Sequence, residues 1–223
     1  CIKLIKSNEL KTEHKLIALG VFVDSLNTEL KKSNIDTNSL IRNAVSSIRS
    51  IDFANLVDSL VPDYAFSALV FDSLSSYDNR DKFFNQFSNQ DIDKKNHPEE
   101  YKLLLSINYQ SGIKNLNKIL NLQPYFLENY LLNEIIMNLF PFKFNNPLES
   151  YTNLIIKFCL VRYQLAMHCN IQNNKVKIED LVRIVQIFAK KYQHDLIFSS
   201  KVNNCFVSAG WSGVAKLFRI IKT

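Results

Sequence analysis

"ENYLLNEIIMNLFPF", Glu128 to Phe142, is the stretch on which the fold turns. An apolar run closed by Phe-Pro-Phe is what a helix stopped by proline looks like, because Pro lacks the backbone N–H and pushes the residue before it out of the helical region. Tyr125 through Phe140 is apolar on most sides, which predicts a central helix buried all round, with Phe142 and Phe144 pinning the turn after Pro141. The same period continues on either side. Leu16, Leu19, Val23, Leu26 and Leu30 recur at spacings of three and four, which predicts a helix from about Thr12. Ile41, Ala44, Ile48 and Ile51 repeat the pattern behind Thr37 or Asn38 as N-cap, and Phe53, Leu56 and Leu60 extend it to Pro62. "DYAFSALVFDSL" reads as a further helix.

Pro98 at a first helical position with Glu99 and Glu100 behind it starts a helix to about Gln110. Gly112 is expected to interrupt, with a short amphipathic segment from Ile113 to Leu120 beyond it. After Pro147 a helix carries Leu154, Ile155, Phe158, Val161, Leu165 and Cys169 on one side. The polar loop "NIQNNKVK" leads into a last long helix with acids Glu179 and Asp180 at its start and Lys190 and Lys191 near its end, matching the helix dipole. Two consecutive helices joined by a short polar loop read as an antiparallel hairpin. The expected fold is all-α, an irregular multi-helix bundle. Composition shifts divide it into an N-terminal helical segment 1–74, a polar connection 75–97, a helical core 98–195 and a basic tail 196–223. "DKFFNQF" within the connection can dock one helical turn through its aromatic residues, and "WSGVAKLFRIIK" in the acid-free tail reads as a short helix folding onto the core.

The composition agrees. Four Gly and five Pro in 223 residues are poor punctuation for a hairpin-rich β protein, and 47% hydrophobic residues give ample material for a core. The net charge of +6 arises from 27 basic against 21 acidic residues, interspersed rather than blocked, so a solvated surface explains it better than a nucleic-acid stripe. No apolar run reaches the roughly 18 residues of a membrane span. Cys1, Cys159, Cys169 and Cys205 form neither a C-x-x-C pair nor a disulfide framework, which fits a reducing cytoplasm. A start at Cys1 rather than Met suggests a fragment or processed product.

No G-x-G-x-x-G, Walker, G-x-S-x-G or H-E-x-x-H motif occurs, so the residues by themselves announce no reaction. Arg162 lies in a strongly apolar helix, where a guanidinium needs a carboxylate, carbonyl or anionic ligand; a structural pairing is the simpler expectation. His168 beside Cys169 makes no metal motif, and His14, His97 and His194 are scattered.

Four segments in order carry a resemblance. "KTEHKLIALGVFVDSL" (11–26), "ENYLLNEIIMNLFPF" (128–142), "YTNLIIKFCLVRYQLAMH" (151–168) and "IEDLVRIVQIFAKKYQHD" (178–195) resemble the C-terminal helical half of the flagellin lysine N-methylases. The matching positions are Leu16, Leu19 and Gly20; Asn129, Tyr130, Phe140 and Pro141; Arg162; and Glu179, Asp180, Gln186, Phe188 and His194. His14 and Lys15 stand where the family pattern leads one to expect Arg, and the family's Cys-rich N-terminal segments, suited to a metal or iron–sulfur centre, have no counterpart here. The resemblance implies methyl transfer from S-adenosylmethionine to flagellin lysines, with these helices as scaffold or substrate-binding part. It marks Asn129, Tyr130, Arg162, Gln186 and His194 as ligand or family-motif candidates. A non-enzymatic helical interaction module is the competing reading.

Overall fold

The computed structural model describes residues 1–223 except 7–9, 33–35, 50–51, 76–92, 145, 173–174, 193–197, 201, 203, 205, 207–210 and 212. The connection's "DKFFNQF" and His194 fall outside the described residues. Among those described there is no strand, and the all-α expectation holds. The helices are α1 (Ile2–Ile5), α2 (Thr12–Glu29), α3 (Thr37–Arg49), α4 (Phe53–Ser59), α5 (Tyr64–Ser75), α6 (Pro98–Leu120), α7 (Phe126–Met137), α8 (Pro147–Gln172), α9 (Ile178–Tyr192) and α10 (Val214–Ile221).

Side chains of Asp and Asn set where several helices begin. Asp36 accepts from the backbone N–H of Ser39 at 3.0 Å, so the cap of α3 lies one residue before the expected Thr37. Asp52 accepts from Asn55 N at 3.1 Å, Asp63 from Phe66 N at 3.0 Å and Asn146 from Glu149 N at 2.8 Å. Each carboxylate or amide satisfies an N–H that has no partner inside its helix.

The chain forms two compact units. The first comprises Cys1–Pro62, Tyr125–Ile156 and Ser199–Lys222; the second comprises Asp63–Pro124, Lys157–Phe198 and Thr223. In the first unit α2 buries Leu16, Leu19, Val23 and Leu26, while the outermost residue of the predicted stripe, Leu30, is exposed. On α3 the buried pair is Leu40 and Ala44, packed with Leu26 and Phe22, and the expected Ile41 faces out. The tail helix α10 buries Leu217, Phe218, Ile220 and Ile221, as expected of a terminal helix folded onto its unit. At Gly20 an added Cβ would lie 2.5 Å from the Phe218 ring and 2.5 Å from the Tyr151 hydroxyl, so α2 approaches α8 and α10 closely there. That Tyr151 hydroxyl donates to the Leu16 carbonyl at 2.9 Å.

In the second unit α6 runs unbroken from Pro98 to Leu120, through the glycine that was expected to interrupt it. Gly112 serves packing: a Cβ there would sit 2.1 Å from the Ala166 carbonyl oxygen of α8. An aromatic series follows the same contact. Tyr109 lies edge-on to Tyr64 at 5.7 Å and to Tyr163 at 5.2 Å, and Phe71 lies 5.8 Å from Tyr163. On α9 the buried stripe is Leu181, Ile184, Phe188 and Tyr192.

The helix buried all round is α8, not the Glu128–Phe142 stretch. Every residue from Ser150 to Met167 is buried, polar ones included. Helix α7 ends at Met137 and buries one side only, Leu127, Tyr130, Leu131, Glu134 and Ile135. Ile136, Met137, Leu139 and Phe142 are exposed, and Pro141, not Phe142, is the buried residue of the turn. The apolar density of α7 exceeds what its neighbours cover, so composition overstated its burial.

Candidate functional site

In the first unit, Lys15 on α2 forms an ion pair with Glu128 on α7. The lysine side chain is 1% exposed and the carboxylate 15%. The pair joins the first two family-motif segments, and Lys15 is one of the two residues, with His14, that stand where Arg was expected. Further along α7, Asn138 donates to Glu134 Oε2 at 2.9 Å, and Lys143 donates to Asn138 Oδ1 at 2.5 Å. Tyr130 is buried beside this carboxylate; burial, then the negative charge of Glu134, holds its hydroxyl protonated far above the ordinary phenol range. Asn129, its neighbour in the motif, points to solvent.

In the second unit, Asp72 is buried on α5 and accepts a hydrogen bond from the Tyr101 hydroxyl of α6 at 2.9 Å. Burial, followed by the charge of Asp72 and this hydrogen bond, raises the Tyr101 hydroxyl so that it acts as a donor at neutral pH. The ammonium of Lys94 reaches the same carboxylate oxygen at 3.3 Å and lies 5.4 Å from the Tyr101 ring centroid. Cation, carboxylate and ring thus meet at one point.

Arg162 is buried on α8, its guanidinium 5.7 Å from the Phe158 ring centroid. Its charge partly offsets the rise that burial imposes on the Tyr109 hydroxyl of α6. The arginine is therefore part of a packed aromatic interior. Gln164 donates to Ser75 Oγ at 3.5 Å, another buried polar link within this unit. Gln186 is exposed on α9. Asn129 and Tyr130 belong to the first unit, Arg162 and Gln186 to the second.

Burial lowers the His168 pKa below the ordinary 6.5, partly countered by Asp180, and pushes the Cys169 thiol up to about 12, which makes it a poor thiolate. No three His, Cys, Asp or Glu side chains among the described residues are grouped to hold a metal ion. No helix among them is long and apolar enough to cross a membrane.

Sequence reasoning passed over Asp72 and Lys94. An acid inside the apolar "AFSALVFDSL" was the available signal, by the same logic that singled out Arg162; the lysine that meets it is 22 residues away and carries no local signal.

Fold and site define an all-α protein whose described residues include the lysine–carboxylate pairs Lys15–Glu128 and Lys94–Asp72, the second set against buried Tyr101. A family model described as FliB lysine N-methylase C-terminal domain matches residues 1–220, and the chain belongs to that family. The resemblance carried by the four segments is borne out. No curated protein and no solved structure matches the chain.

Proposed function

We propose that this domain is the substrate-holding part of a cytoplasmic flagellin lysine N-methylase, which moves a methyl group from S-adenosylmethionine to the ε-amine of flagellin lysines. The observation that carries the reading is the family match over residues 1–220 to the C-terminal domain of a lysine N-methylase. Two features support a holding role. Ile136, Met137, Leu139 and Phe142 expose apolar side chains within seven residues, the kind of surface a protein partner covers. Asp72 and Tyr101 already hold a lysine side chain.

Gly20 and Gly112 are closed by neighbouring side chains and backbone and serve packing, whereas Gly213 has open space around it. Under this proposal the methyl donor is held by another part of the methylase, since the 223 residues carry none of the Gly-rich motifs that cradle a nucleotide.

The test is to mix the 223-residue chain with purified flagellin, with and without S-adenosylmethionine. Flagellin is expected to bind equally in both conditions, and radiolabelled methyl is expected to stay off it until the rest of the methylase is added. Rapid methyl transfer by the chain alone, or no flagellin binding, overturns the proposal.

A further inference from the structure

Lys94 has an unusual set of neighbours. Its side chain is 50% exposed, yet its ammonium ends on the Asp72 carboxylate, which is 5% exposed. Tyr101 supplies two things there: its hydroxyl fixes the carboxylate at 2.9 Å, and its ring lies 5.4 Å from the ammonium. Anion and aromatic face are the two elements that recognise an alkylammonium. Both come from buried, helix-borne residues, Asp72 on α5 and Tyr101 one turn into α6, so they are in place whatever fills the site.

The occupant is held differently. Lys94 sits in a short turn held by local hydrogen bonds: Asp93 accepts from Lys95 N at 2.8 Å and from Asn96 Nδ2 at 2.5 Å, and its carbonyl from His97 N at 2.9 Å. An ion pair made by a half-exposed lysine is a weak contact, offset by the side-chain entropy of holding it. A rigid receptor paired with a loosely held ligand is the arrangement expected where one lysine stands in for another.

We propose that Asp72 and Tyr101 form a recognition cradle for a lysine ammonium, that Lys94 fills it as an internal stand-in, and that a lysine of the substrate protein takes its place. The last part rests on the substrate-holding reading above; the cradle itself does not. Carboxylate and ring face together are complementary to a lysine ammonium, so the role of the cradle is recognition.

The test uses the full chain and two probes, purified flagellin and the model compound Nα-acetyl-lysine amide, with Nα-acetyl-norleucine amide as the uncharged control. Lys94→Ala is expected to bind the lysine compound and not the norleucine one, and to gain about three- to tenfold in flagellin affinity over the wild type. Asp72→Asn in the Lys94→Ala background keeps an acceptor for Tyr101 and is expected to lose the lysine compound; Tyr101→Phe keeps the ring and weakens binding less. Circular dichroism confirms that each variant is folded. Should Lys94→Ala fail to bind the lysine compound, the cradle is overturned. If flagellin binds the wild type but neither Lys94→Ala nor Asp72→Asn alters that affinity, its displacement of Lys94 is overturned while the substrate-holding reading stands. If the lysine compound binds Lys94→Ala and flagellin binds nothing, the cradle stands and the substrate-holding reading falls.

Discussion

The Lys15–Glu128 pair has unequal partners, and the inequality makes a prediction. Lys15 is 1% exposed and Glu128 15%, so only the carboxylate can recover water if its partner is lost. Glu128→Leu strands a buried ammonium and is expected to cost about 3–5 kcal/mol. Lys15→Met leaves a carboxylate that hydrates in place and is expected to cost about 1–2 kcal/mol. The double variant should recover most of the larger loss, since an apolar pair of similar volume replaces a desolvated ionic one. Urea denaturation of the four proteins decides it; strictly additive losses would show that the two side chains do not depend on each other. The sequence marked Lys15 only as a departure from a pattern, because the partner that explains it is 113 residues away.

Among the helices, α9 and α10 were legible because each has one covered side, and spacing reports one covered side well; the stripe also located α2, although Lys15 to Gly20 are buried all round. The ranking of α7 and α8 was not. Lys157, Arg162, Gln164, Thr152 and Asn153 made α8 look one-sided, yet it is enclosed, while the more apolar α7 is half open. Periodicity describes what a helix could bury; coverage depends on neighbours distant in sequence. Gly112 shows the same limit, since local propensity reads it as a break and the contact with Ala166 explains it. Gly112→Ala gains about 1 kcal/mol of helix propensity. Against that, its Cβ would lie 2.1 Å from the Ala166 oxygen, a backbone atom that cannot move without shifting α8. The expected outcome is a net loss of about 1–3 kcal/mol, visible as a lower Tm, and an unchanged or higher Tm would show that α6 and α8 do not meet there. In the candidate site, Arg162 was readable as a charge in an apolar helix and Tyr130 as a family-motif position, whereas the meeting of Asp72, Tyr101 and Lys94 comes from the packing of α5 on α6.

For the whole molecule, His168 couples stability to mild acid. Its folded pKa lies below the ordinary 6.5, so as pH falls through that value the unfolded chain takes up a proton before the folded one does. The stability it contributes is complete above pH 6.5 and is lost as pH falls toward the lowered folded value. Thermal melts between about pH 7 and pH 5.5 should show a falling Tm in the wild type and a shallower fall in His168→Gln; identical slopes would assign the acid sensitivity to other groups. The division of the chain into units bears on synthesis as well. The first unit draws on Cys1–Pro62, Tyr125–Ile156 and Ser199–Lys222, whereas all but the last residue of the second has been made by Phe198. Synthesis in chain order would therefore free the parts of the second unit while α2 still lacked α10, the helix whose Phe218 packs at Gly20. Helix α3 can pack on α2 as soon as it is made, but the close contact at Gly20 must wait for the tail, and no contiguous truncation can isolate the unit to which α2 belongs.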